Sequence, residues 1–174
     1  MSLDIWGNYA DIMAIPIGLI GIVLIVRQLK LALLESEREH QRRQNEMTLN
    51  AYNSVRGDLR NALRRVRQQL ELEDMFDTMS TKNLNEIIED KKLRDEVAKV
   101  LGHINKFAVG IKYDVFNKSM VNDLAGRLFI ETYRQFTPYI EWVRVGSDHP
   151  FYIEYEKLVQ ELKEIESHPR LNTF

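Results

Sequence analysis

The most legible chemistry in this chain lies in WVRVGSDHPFY, residues 142–152, where Arg144 and His149 stand with four residues between them. A metal-independent ribonuclease needs a base to take the 2′-hydroxyl proton and a cation to stabilise the charged phosphorane. His and Arg suit those two roles. His149 falls at a predicted helix N-terminus, where the dipole disfavours imidazolium and keeps the base neutral. A structural reading stands beside the catalytic one. Asp148 and Pro150 are helix-start residues, so Arg144 can pair with a carboxylate while His149 caps. With 14 Arg and 4 His in the chain, random placement produces about one pair in this range of spacings.

Other chemistries are absent from the sequence. The four His residues, at 40, 103, 149 and 168, are scattered and have no metal-ligand spacing, so no metal is expected. Walker, dinucleotide-binding and nucleophile-elbow motifs are missing, which argues against a nucleotide-binding or serine-hydrolase enzyme, and no cofactor is expected. The chain has no Cys, which removes disulfides and fits a reducing compartment. Net charge is −2, from 24 basic and 26 acidic residues, and is neutral on nucleic acid. One basic feature stands out. Arg56, Arg60, Arg64 and Arg67 recur at spacings of four, four and three, forming a stripe on one helix face. Such a stripe can hold the phosphates of RNA or of lipid headgroups. It can equally neutralise the acidic stretch that follows, with Glu71, Glu73, Asp74 and Asp77.

The elements that must carry these residues read as helices throughout. Residues 12–26, IMAIPIGLIGIVLIV, contain no polar side chain. A span needs about 20 apolar residues, and snorkelling Arg27 and Lys30 supply the difference. No Lys or Arg precedes this run, whereas Arg27, Lys30, Arg38, Arg42 and Arg43 follow it. By the positive-inside rule the N-terminus is expected outside and the rest in the cytoplasm, and with no Cys present a bacterial inner membrane is the expected location. Gly7, Ala10, Ala14, Gly18 and Gly21 fall within an arc of roughly 80°. A small-residue face lets helices approach closely in lipid, so self-association is expected, with Asp11 beside the face. Residues 35–46, ESEREHQRRQNE, then form a polar helical stalk.

Beyond the stalk, Val55, Leu59, Leu63, Val66 and Leu70 form one apolar face. Ser80 or Thr81 is expected to cap one helix running through to Ile111. Another should run from Lys118 to Gln135, with Pro138 starting a further turn or two through Trp142. Gly146 breaks it, and a last helix starts around 148–150 and ends before Pro169. The expected fold is all-α. It comprises a transmembrane anchor over residues 1–34, a polar stalk over 35–54, and a cytoplasmic bundle of four or five helices over 55–174.

A recurring pattern runs through LGHINKFAVGIKYDVFNKSMVNDLAGRLFIETYRQFTPYIEWVR. It comprises Asn105 to Ile111, the pair Tyr113 and Asp114, Gly126, Pro138 to Ile140, Arg144, and a closing helix like YIEYEKLVQEL. In these residues the chain resembles a widespread group of uncharacterised bacterial proteins with one N-terminal span and a small helical domain. Its layout is also similar to the accessory membrane protein of type VI-B CRISPR systems, which is HEPN-like in fold. That resemblance implies an Arg-x4-His element at Arg144 and His149, and an oligomeric membrane assembly in antiphage defence. The more common HEPN form has a polar residue directly after the Arg, where this chain has Val145. The expected partners are therefore the lipid bilayer, further copies of the chain, and an RNA or cytoplasmic protein.

Overall fold

A computed structural model describes the backbone of residues 3–72, 74, 77–145, 147 and 150–167, and side chains from residue 22 onward within that set. It contains five helices: α1 (Leu3–Gln69), α2 (Thr81–Glu89), α3 (Lys91–Lys112), α4 (Lys118–Arg144) and α5 (Ile153–Ser167). The described residues include no strand, so the all-α expectation holds. The chain divides into two units, Met1–Arg43 and Gln44–Phe174.

In the first unit, Ile22 to Val26 are five consecutive apolar side chains, each 53–64% exposed. Among the described residues no helix is long and apolar enough to cross a membrane. The expected span over 12–26 falls mostly on residues whose side chains lie outside the description. The same is true of Gly7, Ala10, Asp11, Ala14, Gly18 and Gly21. The expected stalk contains an ion pair one turn apart, Arg43 to Glu39 at 2.7 Å.

The second unit is a packed bundle. The apolar face read from the sequence is the buried face of α1: Leu59, Leu63, Val66 and Leu70 are each at most 2% exposed. They meet Val97, Leu101 and Ile104 of α3, Phe129, Phe136 and Ile140 of α4, and Tyr155, Leu158 and Leu162 of α5 in one core. Packing begins earlier than the expected boundary at residue 55. Gln44, Thr48 and Tyr52 are already buried. The cause is polar. The Gln44 amide donates to the Asp114 carbonyl at 2.7 Å and to its carboxylate at 2.8 Å. The Thr48 hydroxyl donates to the Gln44 carbonyl and accepts from the Asn117 amide.

Two helix boundaries differ from the sequence reading. The single helix expected from Ser80 to Ile111 breaks at Asp90. There the backbone is extended, its amide closes α2 on Glu86, and its carboxylate accepts from the amides of Lys92 and Leu93 to cap α3. A side chain that satisfies orphan amides competes with helix continuation. Conversely, α4 runs unbroken through Pro138. Proline forfeits one backbone hydrogen bond, but buried Phe136, Tyr139 and Ile140 on both sides of it hold the helix together. The last helix begins at Ile153, a few residues later than expected.

Candidate anion-binding groove

The basic stripe borders a groove of about 670 Å³ between α1 and the first half of α4. Arg60, Arg64 and Arg67 line it from α1. Asn122, Asp123 and Arg127 line it from α4, and Leu63, Leu72, Ala125 and Leu128 add apolar surface. Helical periodicity explains the mixture. Leu63 and Val66 turn into the core, and residues one position away from them stand at its edge. Arg56 belongs to the same stripe and is exposed, but it does not line the groove.

The three stripe arginines that line the groove divide into one fixed and two exposed guanidinium groups. Arg67 is half-buried, and its Nε donates to Gln135 Oε1 at 3.0 Å. Burial lowers its pKa, and the charge of Asp74 opposes that shift. Its Nη2 is closed off from solvent without an acceptor. Gln135, fully buried on α4, also donates to the carbonyls of Asp74 and Asp77 at 3.2 Å each, tying down the connection after α1. Arg60 and Arg64 are exposed and have no carboxylate partner among the described residues. That sets them apart from Arg43, Arg65, Arg134 and Arg144, which pair with Glu39, Glu96, Glu131 and Glu156. From the acidic stretch after the stripe, the charge of Asp74 reaches Arg67.

Arg144 is committed to the fold. Its Nε donates to the Phe151 carbonyl at 2.8 Å, and its Nη1 lies 2.9 Å from the Glu156 carboxylate. The guanidinium thus clamps the end of α4 to the start of α5. The clamp holds the turn at Tyr152, whose φ of 61° is costly for a non-glycine residue. Burial pushes the Tyr152 hydroxyl up to about 12. His149 lies outside the described residues, so the two members of the spaced pair are not seen together.

The pattern that carries the family resemblance has structural causes. A Cβ on Gly110 would overlap the Phe116 ring, which packs on Phe107 with centroids 5.3 Å apart. Asp114 adopts φ 58°, a conformation Asp tolerates better than most residues, and its carboxylate receives Gln44. At Gly126 an added Cβ would meet the Asn122 amide. Tyr113 differs in being 68% exposed, with Lys112 Nζ 5.5 Å from its ring centre. Gln44, Thr48, Gln135 and the α4 wall of the groove carry no motif. Only their placement reveals them.

Among the described residues no group of acidic or His side chains could hold a metal ion. The family profile described as a domain of unknown function (DUF4760) matches residues 16–162. No curated protein and no solved structure matches the chain.

Proposed function

The chain belongs to the DUF4760 family, and from that premise we propose that it is a self-associating, membrane-anchored protein with a ligand- or partner-receiving helical domain in the cytoplasm. One observation carries this reading. The side chains of Ile22 to Val26 are all exposed, and five successive positions sweep about 400° around the helix. A helix apolar on every side needs an apolar surround, and the described chain supplies none there. A bilayer does, and the run upstream to Ile12 extends the apolar length toward that of a span.

The distribution of Lys and Arg supports a cytoplasmic domain. The small-residue face from Gly7 to Gly21 supports self-association in lipid. The resemblance to the type VI-B accessory protein extends the proposal to a pore-forming or membrane-perturbing assembly in defence or stress. The alternative of a membrane-tethered ribonuclease rests on the Arg144–His149 spacing. It requires an Arg that already holds Glu156 and Phe151.

The test is the mass of the full-length protein in neutral nanodiscs beside a version lacking residues 1–34. A discrete oligomer that dissociates on deletion is the expected result. Monomers in both forms exclude self-association. Recovery of the full-length chain in the soluble fraction without detergent excludes the anchor.

A further inference from the structure

We infer that the groove between α1 and α4 binds a small phosphorylated ligand of nucleotide size, held by Arg60 and Arg64 over the fixed charge of Arg67. The inference deepens the ligand-receiving part of the proposed function. It does not depend on the membrane anchor, because every lining residue lies within Gln44–Phe174.

Three independent features point to such a ligand. The first is uncompensated charge. Arg60 and Arg64 have no carboxylate partner among the described residues, although the same bundle pairs Arg65, Arg134 and Arg144. Arg67 cannot swing away, since Gln135 holds its Nε from the interior. Three cations thus occupy two helical turns, about 10 Å in length, which suits one or two adjacent phosphate groups. The second is size. About 670 Å³ lies inside the usual range of small-molecule sites, roughly 300–1,000 Å³. The third is the rest of the lining. Leu72 after α1 and Leu128 on α4 offer apolar surface for a ring, and Asp123 on α4 offers an acceptor to a sugar hydroxyl or an amine.

On the α4 wall Asp123 offsets the charge of Arg127, so that wall adds little attraction for a long polyanion. The absence of aromatics interleaved with the Arg residues disfavours single-stranded RNA as well.

The probe is ADP, titrated calorimetrically with chelator present against the full-length protein in nanodiscs of neutral lipid. Inorganic pyrophosphate is the competitor. The expected result is saturable binding that weakens with salt, with pyrophosphate weaker than ADP. Arg60→Gln/Arg64→Gln should lower affinity at least about tenfold, the loss of one charge-assisted contact or more. Arg56→Gln, on the same stripe but off the groove, should change it less than about twofold. Asp123→Asn should narrow the advantage of ADP over pyrophosphate.

Exposed Arg60 and Arg64 make no described contact, so the double variant should retain its thermal unfolding curve. If it does not, the Arg56 control and the ADP-to-pyrophosphate ratio of Asp123→Asn still decide the question. No ADP binding at millimolar concentration overturns the inference. So does equal weakening in Arg56→Gln and the double variant, which marks a diffuse basic surface. Tighter binding to a single-stranded RNA 20-mer than to ADP, or binding only to nanodiscs containing anionic lipid, overturns it in favour of a polyanion surface.

Discussion

Gln135 ties the connection after α1 to α4. Its amide satisfies two loop carbonyls, and its oxygen anchors Arg67. Gln135→Ala would take the acceptor from the half-buried Arg67 Nε and the side-chain donor from the Asp74 and Asp77 carbonyls, of which Asp74 still accepts from the Asp77 amide. We expect a loss of about 3 kcal/mol, read as a lower urea midpoint with unchanged slope. Glu154 reports a different kind of interaction. The hydrogen bond from Lys112 lowers its carboxyl below its ordinary 4.5, Lys157 adds to the effect, and burial opposes it. Lys112 is correspondingly raised above 10.5 by the same hydrogen bond. A carboxyl depressed in the folded state contributes stability above its unfolded pKa and loses it as pH falls through the folded value. A raised ammonium contributes below its unfolded pKa and loses that contribution as pH rises through the folded value. The pair therefore stabilises fully between about pH 4.5 and 10.5. The gap in urea midpoint between the native chain and Glu154→Gln should be present at pH 7 and close as pH falls below 4.5. A gap that persists at pH 3 would show that Glu154 acts through packing.

The helices meet at turns that tolerate little change. Between α3 and α4, Gly110 admits the Phe116 ring, Asp114 takes the left-handed conformation, and Asn117 caps α4 by accepting from the Met120 amide. Gly110→Ala improves helix propensity by up to about 1 kcal/mol, but it forces the ring away from Phe107 at a cost of about 1–3 kcal/mol. We expect a net lower melting temperature. Gly57 and Gly102 provide the contrast. Both are exposed on helices, with nothing within 4 Å of an added Cβ. Gly→Ala at either should raise the melting temperature through propensity alone. A melting temperature for Gly110→Ala that also rises would mean that the Phe116 packing contributes little.

Among the described residues the core lies in one unit. Every buried side chain of the cluster lies between Tyr52 and Leu162, within Gln44–Phe174. Deleting residues 1–34 removes none of them. The deleted protein should unfold cooperatively within about 3 °C of the full-length chain by circular dichroism. A non-cooperative transition would mean that the N-terminal helix, or the assembly it supports, is needed for the bundle to fold.

Helical class, the buried stripe of α1, and the basic stripe beside it were legible in residue order. A 3.6-residue period and an absence of strand patterning need only local spacing. The apolar run at 12–26 was equally legible, because it depends on composition. Asp90 was not, since whether an Asp interrupts or caps a helix depends on which amides it can reach. Nor was the survival of α4 through Pro138, which long-range burial decides against local propensity. The roles of Gln44 and Gln135 escaped for the same reason. An amide in a polar stretch looks solvated until a segment about 70 residues away supplies its partner. The fates of the arginines separate most clearly. Spacing alone placed Arg144 in a candidate catalytic pair and Arg60 and Arg64 in a charged stripe. Packing gave Arg144 a carboxylate and left Arg60 and Arg64 without one among the described residues, because ion pairing is settled by what lies within a few ångströms in space.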